Sequence, residues 1–495
     1  MKLRTLTALP GIAIFLALFA GGQALGADKP VEAQTYAAKQ VRADFDELYE
    51  RLQATHYDLY ARRSKPDFDA RFKSLRGSFD TPMKRFDIQT RFQDFIAYGN
   101  VAHARIDFPM DVYRAYRAGG GKVFPLRVRI VNGAARVSSN QSGLDAISLG
   151  DEIVAFDGQP GAAWLSSLRR HLSADNDYMA YAMLESLLPA VEWLEHRDAT
   201  RFHMKLRTAQ GKTYEVVVPA RSRDEMQASS EKLPKTFELD WDKRESRMLQ
   251  NGVAYLRPGP FYNNDPGATN MWDATAYSVF IDAAFWRFIE AGAKSLVIDL
   301  RDNPGGDNSF SDPMVSWFAT KPFRFASDFR IKVSQAAIDT NRKRLVANAD
   351  DAASTSHKLA AAYATRKPGD VFSYEIPLAQ PRPGTRFQGK VFLLINRHSY
   401  SNTVSVAALA QDYGFATILG EETSDLATTY GAMEEFELSR TGVTVGFPKA
   451  YIIRPSGATD ARGVRPDIAI DTPTVPTQED TVLARAAEIA GKAGG

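Results

Sequence analysis

From residue 28 to about 109, apolar residues recur at helical spacing. Val41, Phe45, Leu48 and Leu52, then Phe68, Phe72 and Leu75, predict amphipathic helices with breaks near 64–66 and 81–82. Around Gly99-Asn-Val-Ala-His-Ala-Arg-Ile-Asp107 the helical period gives way to an extended one surrounding a histidine. Gly119, Gly120 and Gly121 mark a boundary. Beyond it, 123–130 and 135–138 read as short strands about an Asn132-Gly133 turn. In Leu149-Gly-Asp-Glu-Ile-Val-Ala-Phe-Asp-Gly158 a short apolar strand lies between two turns, and 203–207 and 213–218 predict further strands. Residues 162–195 read as helical and the polar 222–232 as a linker. The pattern then changes. Strands are expected at 252–256, 295–300, 390–395, 417–419 and 443–446, with helices at 273–291 and 401–411. Apolar strands alternating with helices predict an α/β core with a largely buried sheet.

Composition narrows the picture. At 495 residues, 44% hydrophobic and 24% charged, the chain is long enough for three or four cores and excludes a disordered or collagen-like protein. It has no cysteine, so no disulfide framework is possible. Lys plus Arg number 61 and Asp plus Glu 59, a balance that predicts no nucleic-acid or anionic-membrane partner.

The first four residues carry two positive charges, 5–27 carry none, and an apolar run at 12–19 is followed by Gly21, Gly22, Ala24, Gly26 and Ala27. This is the layout of a secretory signal. The alternative is an uncleaved anchor; Pro10 and the small residues favour cleavage. The expectation is a periplasmic or extracellular protein without integral membrane association once the signal is removed.

Two strand ends could carry chemistry. In Leu296-Val-Ile-Asp-Leu-Arg-Asp-Asn-Pro-Gly-Gly306 an apolar strand runs into paired glycines, whose backbone N–H groups can face a reacting oxygen; the alternative is an ordinary turn. In the segment from Lys390 to Asp412, a buried strand ends at Ile395 and a helix begins near Ser401. A serine there sits in the field of the helix N-terminus, either as nucleophile or as a simple N-cap.

The 149–158 segment resembles a PDZ module. The two strand ends together resemble the S41 peptidase family, which includes the C-terminal processing and tricorn-type proteases. The likeness runs through Gly252–Leu256, Asp299-Leu-Arg-Asp-Asn-Pro-Gly-Gly306, Ser399-Tyr-Ser401, Gln411-Asp-Tyr-Gly414, Gly420-Glu-Glu-Thr423 and Gly463-Val-Arg-Pro-Asp467. It implies Ser401 as nucleophile, with the Asn402, Gly305 and Gly306 amides as oxyanion donors.

A serine needs a base. The processing branch uses the lysine of a Gly-Glu-x-Thr-x-Gly-Lys pattern, where this chain has Leu426; Lys449, read as an exposed residue, is the remaining lysine option. The tricorn-like branch uses a histidine ahead of the core, in a Gly-x-x-His setting that Gly99-Asn-Val-Ala-His103 resembles with one extra residue. Its acid precedes the Gly-Val-x-Pro-Asp motif, which places Asp460, where that branch has glutamate; Ala102 stands where it has serine. Of seven histidines, His398 is near Ser401 in sequence but need not face it, and His56 reads as packing. Asp412, eleven residues past Ser401 on one helix, lies ~16 Å along the axis and is too distant. Asp299 and Arg301 read as loop braces. No metal-ligand spacing, phosphate loop or dinucleotide fingerprint is present, so no cofactor is expected.

The resulting expectation is a multidomain α/β protein. A signal occupies 1–27, a helical N-terminal domain 28–118, a PDZ-like β-rich module 119–222 and a crotonase-like α/β catalytic core 233–495. The expected activity is hydrolysis of peptide or protein substrates by Ser401, His103 and Asp460. The alternatives are a catalytically decayed peptide-binding protein and a non-peptide acyl hydrolase.

Overall fold

Three amphipathic helices, α1 (Ala38–Thr55), α2 (Lys65–Gly77) and α3 (Arg85–Ala97), pack around a cluster of phenylalanines that includes Phe45, Phe68, Phe92 and Phe95. They belong to a computed structural model of the protein that describes residues 34–347 and 354–494; the signal expected at 1–27 lies outside them. Ser64 accepts the Asp67 N–H and Pro66 sits in the first turn of α2, so the break at 64–66 is a capped helix start. The short α4 (Met110–Ala118) ends at Gly119.

An antiparallel sheet follows, in the order β1 (Leu126–Val131), β2 (Ala134–Asn140), β3 (Glu152–Phe156), β4 (Arg201–Arg207) and β5 (Thr213–Pro219). Two helices, α5 (Gly161–Arg169) and α6 (Asp177–Glu195), divide the stretch read as helical over 162–195, because Asn176 caps a new start by accepting the Met179 N–H. The polar 222–232 segment is not a linker. Ser222 and Glu225 form a capping box that starts α7 (Arg223–Ser230), so a polar surface helix had the composition of a connector.

The alternating region builds a six-stranded sheet from β6 (Glu245–Met248), β7 (Val253–Arg257), β8 (Ser295–Asp299), β11 (Lys390–Ile395), β12 (Thr417–Gly420) and β15 (Ile468–Ala469). In space the order is β15-β12-β11-β8-β7-β6, parallel except for β6. Both faces are covered, which explains the continuous apolar runs. Ala254, Leu256, Ile298 and Leu393 pack under α8 (Thr275–Glu290), α9 (Asn308–Ser316) and α12 (Asn402–Tyr413), while Val253, Tyr255, Val297 and Phe392 meet α13 (Thr481–Gly494). The braces expected of Asp299 and Arg301 are formed: Arg301 bonds both Asp299 and Asp480, at the foot of α13.

A second, antiparallel sheet has the order β10-β9-β14-β13, from β9 (Asp328–Lys332), β10 (Val371–Ser373), β13 (Thr429–Glu437) and β14 (Thr444–Ile453). Between β9 and β10 lie α10 (Gln335–Ala347) and α11 (Thr355–Ala364). Phe436, Val445 and Phe447 join the phenylalanine cluster of α1–α3, which seats the N-terminal helices on this sheet. His103, expected in an extended stretch, lies in a turn closed by the Ala104 N–H on the Val101 carbonyl, and the chain joins the sheet just after it, where Arg105 exchanges both backbone hydrogen bonds with Gly446.

Lys449, expected to be exposed, is buried in β14. Its ammonium pairs with Glu434, which also binds Arg344. A strand position facing the packed layer outweighs the apparent turn at Phe447-Pro448.

Candidate active site

The loop after β11 is pinned to the end of β8. Ser399 Oγ donates to the Leu300 carbonyl at 2.8 Å, and the Tyr400 N–H to the Asn303 carbonyl at 3.0 Å. Ser401 then takes φ +54° and ψ −125°, a region that L-residues enter only when their surroundings impose it. Its N–H donates to Asp425 Oδ2 at 2.7 Å. Ser401 immediately precedes α12, but its hydroxyl makes no cap hydrogen bond. The half-buried Oγ is therefore left for other chemistry.

Gly305 backs directly onto this serine. A Cβ at Gly305 would fall 2.6 Å from the Tyr400 carbonyl oxygen, 2.8 Å from the Asn402 nitrogen and 2.9 Å from Ser401 Cβ, and its φ is +90°. Only glycine fits there. The three expected oxyanion donors differ, however. The Gly305 N–H already donates to Asn303 Oδ1 at 3.0 Å. Gly306 forms a parallel bridge with Phe261 in which the Gly305 carbonyl and the Asp307 N–H make the bonds, so the N–H of Gly306 faces away from Phe261. The Gly306 and Asn402 N–H groups have no acceptor among the described residues. These two amides can receive negative charge; that of Gly305 is committed to its loop.

The imidazole of His103 lies on the ring of Tyr400, with centroids 5.7 Å apart and planes 20° from parallel. It is buried, and its Nδ1 has no hydrogen-bond partner among the described residues. Burial, reinforced by the Arg105 charge, pushes its pKa down to about 3, so the ring is neutral at physiological pH. Asp460 is placed elsewhere: it is exposed and pairs with Arg462 at 3.1 Å, not with His103.

His398 turns away from Ser401 and bonds Glu185 of α6 at 3.1 Å. The same glutamate binds Arg397, and Arg397 and Arg129 both bind Glu421, so this cluster docks the antiparallel sheet on the core. His56 is buried and its Nδ1 accepts the Asp58 N–H at 3.1 Å. Asp412 braces Arg454 at 2.7 Å. Among the described residues, no three His, Asp or Glu side chains are grouped to hold a metal ion.

Two acids at the site were missed by sequence reasoning. Asp425 is buried under Ser401, and Asp175, between α5 and α6, accepts the Ala102 N–H at 3.1 Å. The one signal for Asp425 was its position: it stands where the Gly-Glu-x-Thr-x-Gly-Lys pattern has glycine, one residue before Leu426. Asp175 has no motif around it. Beside Tyr400 a cavity of about 80 Å³ is lined largely by apolar groups, among them Ala102, Ile106, Leu172, Met183 and Leu187.

Residues 268–470 match the family described as Peptidase family S41. No curated protein matches the chain by sequence. Among solved structures, mature CPAF complexed with lactacystin aligns at 17% identity over 92% of this chain and 98% of that one, with a TM-score of 0.60. A second crystal structure of mature CPAF aligns at 18% identity over 92% and 96%, with a TM-score of 0.59. The photosystem II D1 C-terminal processing protease aligns at 15% identity over 91% and 97%, with a TM-score of 0.43. The matched residues 268–470, which are similar to peptidase family S41, hold Gly305, Gly306, Ser401 and Asn402.

Proposed function

We propose that the protein is an exported serine peptidase that hydrolyses peptide or protein substrates with Ser401 as nucleophile and His103 as base. The observation that carries this reading is the strained Ser401, uncapped and wedged against Gly305, one residue from a tyrosine that stacks on a neutral histidine. His103 takes the serine proton as Oγ attacks the carbonyl carbon. The N–H groups of Gly306 and Asn402 hold the oxyanion; removing one such donor typically costs about 2.7–4 kcal/mol of transition-state stabilisation. His103 then returns the proton to the leaving amine, and water releases the acyl group by the same route. For Asp460 to act as the acid, it must exchange Arg462 for His103 Nδ1, which holds the imidazole tautomer. The cavity beside Tyr400 suits an apolar substrate side chain. The antiparallel sheet of 126–219, as a PDZ-like module, would take a chain end or extended segment by strand addition.

Reaction with a fluorophosphonate probe tests the reading. Labelling that disappears in Ser401→Ala and falls steeply in His103→Ala is the expected result. No labelling of the wild-type chain would leave a peptide-binding protein, the reading favoured by an imidazole without an acid at Nδ1. Turnover of activated esters without turnover of peptides would identify an acyl hydrolase instead.

A further inference from the structure

Two buried carboxyls hold the backbone on either side of the proposed catalytic pair. Asp425, in the loop between β12 and β13, is 1% exposed. Its Oδ2 accepts the Ser401 N–H at 2.7 Å and its Oδ1 the Leu426 N–H at 2.9 Å. The loop itself is tied down, because Thr423 Oγ1 donates to the Asp425 carbonyl and accepts the Val464 N–H. Asp175, whose side chain is 2% exposed, accepts the N–H of Ala102, the residue before His103, and lies 3.6 Å from Arg62. The two acids are near enough for each to bear on the other's charge, and both bear on Tyr400, the ring that supports His103.

We propose that Asp425 and Asp175 are positioning residues, a two-carboxyl clamp that fixes Ser401 and the His103 stretch in register. The inference rests on the serine peptidase reading and extends it to residues that touch neither substrate nor the reacting atoms. Three separate segments must meet for the site to form: Asp175 ties the antiparallel module to the N-terminal segment through Ala102, and Asp425 holds Ser401 to the β12–β13 loop within the core.

Such a clamp carries a pH signature. Burial pushes Asp425 up to about 7 against the pull of the Ser401 N–H, and the Asp175 charge adds to the rise. Burial raises Asp175 as well, opposed by the Ala102 N–H and by Arg62. The other groups bearing on the pair and on Tyr400 are Arg105 and, across the Tyr400 ring, the neutral His103. Below about 7 the pair keeps a proton. Above it, a second carboxylate charge stands under Ser401, close to where negative charge develops during attack, and opposes it.

The test is the rate of fluorophosphonate labelling against pH for the wild type, Asp425→Ala, Asp425→Asn and Asp175→Asn, with thermal melts showing which variants remain folded. Misplacing a nucleophile by about an ångström slows reaction on the order of 100-fold, and that loss is expected for Asp425→Ala. Asparagine keeps an acceptor for the Ser401 N–H without a titrating proton. Asp425→Asn should therefore restore labelling relative to alanine and abolish the decline centred near 7. Asp175→Asn should move that midpoint down, since the neighbouring charge that raises Asp425 is gone. Equal labelling of Asp425→Ala and wild type, or a decline that persists unmoved in Asp425→Asn, overturns the clamp and leaves the peptidase reading intact. A wild-type chain that fails to label overturns that reading and the clamp with it.

Discussion

Tyr400 holds the imidazole of His103 on the face of its ring, 5.7 Å between centroids, although almost three hundred residues separate His103 from Ser401. Neither ring reaches this place alone. The helices α1–α3 are seated on β13 and β14 by a shared phenylalanine core, Arg105 pairs with Gly446, and His103 lies two residues before that pairing. Offset-stacked rings contribute ~0.5–1.5 kcal/mol beyond the area they bury. A double-mutant cycle on unfolding free energy with His103→Ala and Tyr400→Leu should return a coupling of that size. Additive single-variant effects would show that the stack contributes nothing.

Gly305→Ala tests the wedge behind Ser401. A methyl there meets the Tyr400 carbonyl, the Asn402 nitrogen and Ser401 Cβ, all inside 3.0 Å, and every one is backbone or the first side-chain carbon of Ser401. Nothing flexible can give way. The strained φ adds ~1–3 kcal/mol of destabilisation. Labelling should drop about 100-fold through displacement of Ser401, while circular dichroism of the variant stays near that of the wild type. Unchanged labelling would show that Ser401 is not held against this glycine.

Much of this arrangement was legible in the chain. The parallel strands announced themselves as continuous apolar runs, because helices cover both faces of their sheet. The junctions that carry Ser401, Gly305 and Gly306 were legible because the ends of apolar strands and the start of a helix carry local signals. The clamp was not: Asp175 and Asp425 matter only through which backbone N–H they meet, and that is fixed by docking of distant segments. The commitment of the Gly305 amide to Asn303 was hidden for the same reason, as was Lys449, whose burial follows from the pairing of β13 with β14.

His103 and His56 should make the protein acid-sensitive. Burial is the main cause that lowers each to about 3, helped by Arg105 in one case and Lys332 in the other. Both folded values lie below the ordinary 6.5, so the unfolded chain takes up protons first as pH falls. Their stability contribution is complete above 6.5 and is lost between 6.5 and about 3, by ~1.4 kcal/mol per pH unit for each ring. Urea unfolding at successive pH values should show this acid limb, shallower in His56→Gln. Labelling of Ser401 should show no loss as pH drops through 6.5, since His103 stays neutral there.

His171 works in the opposite sense, and at a junction. Its ring lies between Asp94 of α3 at 2.6 Å and Glu195 of α6 at 2.5 Å, tying the helices that seat His103 to the module that supplies Asp175. Burial disfavours its charge, but the two carboxylates outweigh burial and raise its pKa to about 8. Because the folded value lies above the unfolded 6.5, the charged bridge stabilises fully below 6.5 and is lost as pH rises through 8. The interval corresponds to ~2 kcal/mol. Urea unfolding from 6.5 upward should show a loss of that order in the wild type. His171→Gln should begin less stable at the acid end and show no such decline. Parallel curves for the two proteins would mean that the imidazole is not charged at the junction, and that α3 and α6 are held together by their apolar contacts alone.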